Sequence, residues 1–145
     1  MDDKNNQPAI DILNEIMEAE LAGVVRYSHY ALMVYGYNRI PIVDWMKANA
    51  SEGLMHAHRA GELVTLMGGH PSLKIGALLE TERHDIGDIL RESLEHEKSV
   101  LKMYYRLLKL SLIHISEPTR PRLITYAVFC LKKKSGGGGG GGGGG

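Results

Sequence analysis

The chain has 145 residues, enough for one domain, and its 17 basic and 17 acidic side chains give a formal net charge of zero. That balance hides a division, because residues 1–110 carry 16 acidic and 12 basic side chains and the remainder carries one acidic and five basic. The front part therefore has no basic surplus for nucleic acid or an anionic membrane, and its lack of cysteine excludes disulfides and cysteine-based metal sites. No signal peptide or membrane span is visible, so we expect a cytoplasmic protein.

Three amphipathic helices are predicted in chain order. The first begins at the Asn-rich segment before Pro8 and ends at Gly36, since proline suits a first turn and glycine a helix end. The second opens at Pro41 and ends at Gly68, and the third starts near Asp85. The three predicted helices cover approximately residues 8–35, 41–67 and 86–109. Helices of this length favour an antiparallel bundle, and we expect an all-α four-helix bundle represented by its first three helices.

Two glutamates interrupt the apolar faces of the first and third helices. Glu20 follows Met17 by three residues and precedes Val24 by four, so it lies within the first helix's apolar stripe. Glu97 lies in the same way ahead of Val100 on the third helix. Unpaired carboxylates are rare in protein cores, so each acid is expected to pair with a cation or to bind a metal ion.

The second helix adds a carboxylate and an imidazole four residues apart, Glu52 and His56, which share one face. Three glutamates and one histidine converging on a bundle core would repel one another without a cation, and a pair of divalent ions such as iron, manganese or zinc resolves that problem. The metal-free alternative is that these acids pair with basic side chains of the front part, namely Arg26, Arg59 and Lys98. Two further pairs, His58/Glu62 and Glu92/His96, are predicted to lie on other faces as solvated pairs.

The segments LNEIMEAELAGVVRYSHYALM, HAHRAGELVTLMGGHPSL and LRESLEHEKSVL resemble the first three helices of bacterioferritins, within the ferritin-like diiron carboxylate superfamily. The resemblance covers residues 8–109 and implies a partial ferritin-like domain at 1–109. It implies metal ligation by Glu20, Glu52, His56 and Glu97 at a dinuclear iron site, with the fourth-helix ligands missing. It also places Tyr27 beside the metal, in a supporting catalytic role.

Two positions depart from the family's pattern. The family places its bridging glutamate three residues before the histidine, where this chain has Gly53, so Glu52 is offset by one residue unless a π-bulge resets the register. Leu54 stands at the aligned place of the family's haem-binding methionine, with Met55 one residue later, and this departure argues against haem binding.

The implied activity is Fe(II) oxidation by dioxygen or peroxide, followed by iron storage, in a homo-oligomeric shell and with no nucleic acid or membrane partner. A rubrerythrin-like peroxidase or a manganese catalase on the same scaffold is an alternative, and so is a metal-free helical interaction module. As written, the chain lacks the fourth-helix ligands, so we expect little or no ferroxidase activity from it.

The last part of the chain does not continue the helical pattern. LSLIHISEPTR, from Leu110 to Arg120, matches the translation of a transposase-type sequencing adapter, and YAVFCLKK matches the flow-cell end of the same adapter. The ten terminal glycines correspond to an unbroken run of G, as is read beyond the end of a template. Residues 110–145 are therefore predicted to be a sequencing read-through artefact that forms a disordered tail and no domain.

Overall fold

The computed structural model of the chain describes residues 3–113 and 118–136. Within these ranges the secondary structure is entirely helical, which confirms the predicted all-α bundle. The four helices are α1 (Asp3–Met33), α2 (Arg39–Leu66), α3 (Ile86–Ile113) and α4 (Arg120–Gly136). None of the described helices is both long and apolar enough to cross a membrane.

The ends of two helices differ from the predicted ones. α1 begins at Asp3 and contains Pro8, which was predicted at its start. Proline in the second turn removes one backbone hydrogen bond close to the helix end, where few such bonds are lost. α3 continues beyond residue 109 to Ile113, because Leu107 and Ser111 still lie on its buried face.

α1 lies at the centre of the packing, against both α2 and α3, and α4 packs against α3 and more lightly against α2. The short connection at residues 34–38 makes α1 and α2 an antiparallel pair. Residues 67–85 then cross the length of the bundle, so α3 runs parallel to α2 and antiparallel to α1. Four-helix bundles are known with one or two long crossover connections, and this chain has one within the described residues.

Hydrogen bonds hold the crossover, residues 67–85, against the outer side of α1 at two points. The side chain of Asn14 donates to the backbone oxygen of His70 (3.2 Å) and accepts from the backbone N–H of Ser72 (2.9 Å). Further along, the N–H of Gly76 donates to the backbone oxygen of Glu18 at 2.8 Å. A Cβ atom on Gly76 would lie 3.0 Å from that same oxygen, so the two backbones approach closely only because residue 76 has no side chain.

Replacing Gly76 with Ala should therefore destabilise the protein by about 1–3 kcal/mol, because the added methyl group meets backbone atoms that cannot move independently. Urea unfolding followed by circular dichroism measures the change. Gly61→Ala is the matched control, since its Cβ would meet the sulfur of Met17 at 3.1 Å, and that flexible side chain can shift. Equal stabilities for the two variants would contradict the close approach at residue 76.

The apolar core consists of two clusters. The four-helix cluster takes residues from α1, α2, α3 and α4, including Leu13, Val64, Leu107 and Leu123. The three-helix cluster takes its described residues from α1 to α3 and the residue after α1, including Tyr30, Met46 and Ile89. Between the clusters lies a layer of polar side chains that contains Glu20, His56 and Glu97, so the candidate ligands occupy the middle of the bundle.

α4 is the main difference between the sequence prediction and the structure, because residues 120–136 are helical where a disordered tail was expected. Its buried hydrophobic side chains recur every three or four residues and close the side of the bundle that α1 to α3 leave open; they are Leu123, Tyr126, Ala127, Cys130 and Leu131. The origin of residues 110–145 in sequencing read-through stays a prediction, since any sequence with this spacing can form the helix. Residues 114–117 and 137–145 lie outside the described ranges.

Candidate metal centre

Glu20 lies at the centre of the polar layer, with 2 % of its surface exposed. Its Oε2 accepts hydrogen bonds from Nδ1 of His56 (2.7 Å) and from the hydroxyl of Tyr104 (3.1 Å). Its Oε1 lies 3.0 Å from Nζ of Lys134, at the end of α4. Both oxygens of this buried carboxylate are therefore paired, which the loss of hydration requires.

Glu97 approaches the same point from α3. Its Oε2 lies 2.7 Å from Nζ of Lys134, and its Oε1 accepts a hydrogen bond from the hydroxyl of Tyr27 at 2.9 Å. The Tyr27 ring is buried and packs edge-on against Trp45, with ring centroids 6.0 Å apart. The structure thus brings Glu20 and Glu97 to either side of one ammonium group and places Tyr27 where it fixes the orientation of Glu97.

His56 projects from α2 towards Glu20, and 1 % of its surface is exposed. Because a carboxylate oxygen only accepts hydrogen bonds, Nδ1 of His56 carries the proton in this contact. The other ring nitrogen, Nε2, is buried without a hydrogen-bond partner and lies 4.0 Å from Oε1 of Glu52. His56 is therefore held by Glu20 through one nitrogen and keeps the second nitrogen unused.

The side chain of Glu52 reaches only the edge of the polar layer. Its side chain is 36 % exposed, and its Oε1 lies 4.0 Å from both Nε2 of His56 and Nζ of Lys133. α2 is α-helical throughout, so the π-bulge that would reset the register is not formed. Gly53 instead faces α1, where a Cβ would lie 3.4 Å from the backbone oxygen of Glu20. The offset of one residue thus leaves Glu52 outside the pair formed by Glu20 and Glu97.

The charges in this layer stabilise one another. Burial alone would raise the pKa of Glu20, but the hydrogen bond from His56 and the charge of Lys134 together hold it below the ordinary value. Burial alone would lower the pKa of Lys134, and the negative charges of Glu20 and Glu97 outweigh it and raise the pKa. Glu20 is therefore a carboxylate and Lys134 an ammonium ion at neutral pH.

Two tyrosines on α3 and α4 extend the polar layer into the four-helix cluster. The hydroxyls of Tyr104 and Tyr126 lie 3.2 Å apart, and the latter donates to the backbone oxygen of His56 at 2.8 Å. Burial, reinforced by the charge of Glu20, raises the pKa of Tyr104, and burial also raises the pKa of the Cys130 thiol to about 11. These groups stay neutral and serve as hydrogen-bond donors or as small packing residues.

The basic residues considered as metal-free partners do not contact the four predicted ligands. Arg26 donates to Tyr30 and to the backbone oxygen of Glu92, and it approaches Nδ1 of His96 at 3.4 Å. The guanidinium of Arg59 lies over the Phe129 ring, and the ammonium of Lys98 pairs with an exposed glutamate, Glu95. The cation that compensates the buried acids is Lys134, from the segment that was predicted to be a disordered tail.

His96 also differs from its prediction as a solvated residue. It is 8 % exposed, because it packs against Gly23 of α1, where a Cβ would lie 2.9 Å from its Nε2. Burial and the nearby charge of Arg26 lower its pKa. Its predicted partner Glu92 instead accepts hydrogen bonds from Tyr30 and Thr81. His58 and Glu62 are exposed, as predicted.

As they stand, these side chains do not fit a metal ion. Carboxylates and imidazole are suitable donors for iron. In residues 3–113 and 118–136, however, no three His, Cys, Asp or Glu side chains are grouped closely enough to hold an ion. The Nζ atom of Lys134 lies between the two nearest carboxylates, in the place that a cation would take. Leu54 and Met55, the positions compared with a haem ligand, are each 42 % exposed.

Comparison with known proteins gives consistent results. The sequence model of the ferritin-like domain family matches residues 10–119. A ferritin-like, diiron-carboxylate protein from Bacillus anthracis superposes with a TM-score of 0.83 at 19% identity, over 92% of this chain and 91% of that chain. A bacterioferritin-related protein from Bacteroides fragilis, described as a dodecameric thioferritin, gives a TM-score of 0.75 at 17% identity, over 90% of this chain and 79% of that chain. No curated protein matches.

Proposed function

Because the chain belongs to the ferritin-like domain family, we propose that its first three helices carry the iron-binding side of a ferroxidase and iron-storage site. Fe(II) is the substrate, and the proposed ligands are Glu20, His56 and Glu97. The observation that supports this most strongly is that these three side chains come from three different helices and meet at one level of the bundle. Carboxylates bind both oxidation states of iron, which suits a site that takes in Fe(II) and releases Fe(III).

The other two residues take supporting roles in this proposal. Glu52 lies beside the free nitrogen of His56 and is the nearest further carboxylate that could reach a second ion. Tyr27 holds Glu97 through its hydrogen bond and so sets the direction from which that carboxylate approaches the iron. In the oxidation, each Fe(II) gives up one electron to dioxygen or peroxide.

Assembly into a homo-oligomeric shell is part of the same proposal, with a cytoplasmic location. The crossover presents apolar side chains to the surroundings, and a second subunit would remove them from water. These side chains, all at least 46 % exposed, are Leu73, Ile75, Leu78 and Leu79.

A metal-free helical interaction module is the second candidate. It is favoured by one specific observation, the ion pairs of Lys134 with Glu20 and Glu97, which satisfy the buried acids without a metal. A peroxidase or a manganese catalase on this scaffold would use the same ligands with a different oxidant or metal.

An anaerobic Fe(II) titration followed by exposure to air tests the proposal. The protein to use has residues 1–109 joined to a fourth helix that carries Glu-x-x-His. We expect it to bind a pair of Fe(II) ions per chain and to oxidise them. Glu20→Gln should abolish both, and Glu15→Gln, an exposed acid on the same helix, should abolish neither. Unchanged oxidation in Glu20→Gln would refute the ligand assignment. If the four-helix protein without this substitution bound no Fe(II), the metal-free interaction module would be favoured.

A further inference from the structure

Lys134 makes the closest cationic contacts with the proposed ligands. Its Nζ lies 3.0 Å from Oε1 of Glu20 and 2.7 Å from Oε2 of Glu97, and its side chain is only 9 % exposed. The ion pair of Lys98 with Glu95 is far more exposed than these contacts. Its Nζ–Oε1 distance is 3.5 Å, and both side chains are more than half exposed. Solvent screens such a surface pair, whereas the contacts of Lys134 are largely shielded from water.

We propose that Lys134 is a built-in occupant of the cation position between Glu20 and Glu97, and that it keeps divalent metal ions out of this chain. The inference rests on the proposed function, because it takes these two glutamates to be metal ligands. A metal ion bound by the same two oxygens would lie within a few ångströms of the ammonium, and two cations so close repel each other strongly. Metal binding therefore requires Lys134 to leave.

The location of Lys134 at the end of α4 allows its side chain to move out of the polar layer. It lies in the last turn of α4, and its neighbour Lys133 points to the exposed edge near Glu52. Only the molecules in which Lys134 has swung out can bind a metal ion, so the apparent affinity falls by the fraction of such molecules. α4 thus supplies both the ammonium group that fills the cation position and the apolar side chains that complete the core.

Manganese binding measures this competition, because Mn(II) prefers the same donors and is stable in air. Isothermal titration calorimetry should show weak binding to the wild-type chain. For Lys134→Gln the dissociation constant should fall at least roughly tenfold, as expected if Lys134 is in place in about nine-tenths or more of the molecules. Lys133→Gln is the matched control, since it removes the same charge one residue away and should behave as the wild type does. Lys134→Arg keeps the charge and should also exclude the metal.

The outcomes separate the inference from the proposed function. Equal, tight binding by the wild type and Lys134→Gln would overturn the inference and leave the iron site standing. No binding by Lys134→Gln, with helicity intact, would overturn the inference alone, because there would be no metal for Lys134 to exclude, and the proposed function is tested separately in the protein with the Glu-x-x-His helix. Equal gains for Lys133→Gln and Lys134→Gln would overturn the inference too, since net charge alone would then explain the effect.

A second measurement needs no variant and covers the case in which Lys134→Gln does not fold. Amine acetylation of the wild-type chain, read by mass spectrometry, should modify Lys134 at least about tenfold more slowly than the exposed Lys132, since reaction requires the side chain to leave its buried position. Millimolar Mn(II) should then raise the rate at Lys134 and leave that at Lys132 unchanged. Equal rates at the two lysines without metal would overturn the inference.

Discussion

Ending the chain at Ile113 should abolish its cooperative unfolding transition and cause the remaining three helices to associate. The shortened chain loses every described contact of α4 with the core. Five hydrophobic side chains of α4 are buried, and each large one contributes about 1.5–3 kcal/mol through burial. Their sum is comparable with the roughly 5–15 kcal/mol of a whole domain's stability.

Urea unfolding and light scattering after size exclusion measure this result. A chain ending at Gly136 is the control, because it keeps all the described contacts and should unfold as the complete chain does. A monomeric chain ending at Ile113, with an unchanged unfolding midpoint, would show that α4 contributes nothing to the core. That outcome would also rule out the role proposed for Lys134, because α4 would then not hold this side chain in the polar layer.

Replacing Glu20 with Ala should destabilise the protein by about 3–5 kcal/mol, measured in the presence of a chelator. The change leaves the buried Lys134 with Glu97 alone, and it leaves Nδ1 of His56 and the hydroxyl of Tyr104 without their acceptor. The cost is thus the desolvation of several groups that the carboxylate had compensated, in addition to the loss of one ion pair.

Glu15→Ala gives the matched comparison. Glu15 is on the same helix and pairs with Arg106 at 2.7 Å, but the two side chains are 46 % and 55 % exposed. An exposed pair contributes about 0–1 kcal/mol, so this variant should be nearly as stable as the wild type. Similar losses for Glu15→Ala and Glu20→Ala would show that burial does not control the strength of these contacts.

The helical architecture could be predicted from the sequence because the apolar residues of the first three helices recur at a regular spacing. The same spacing placed Glu20 on a buried face, since a charged residue between apolar ones at i−3 and i+4 shares their direction. Glu97 lies at the margin of its buried face, where its side chain is 24 % exposed and its i−3 neighbour Leu94 is 53 % exposed. What the spacing did not determine is how far each side chain reaches. Glu52 shares a face with His56, yet it stops at the edge of the polar layer.

The sequence did not lead to a prediction of α4, because residues 110–145 were assigned to a sequencing artefact and the spacing of their apolar residues was not used. The spacing of Leu123, Tyr126 and Cys130 is that of a buried helix face, and Lys134 follows on the same face. This signal was available in the sequence. His96 could not have been placed in this way, because its burial depends on the absence of a side chain at Gly23 on another helix.

The polar layer also divides the apolar core into two clusters of unequal size. Side chains of the four-helix cluster and of the three-helix cluster are separated by Glu20, His56 and Glu97. Cooperative unfolding spreads through continuous apolar packing, and here that packing is interrupted at mid-height. Under native conditions the end built around the three-helix cluster, which has fewer buried side chains among the described residues, should therefore open locally before the rest of the bundle.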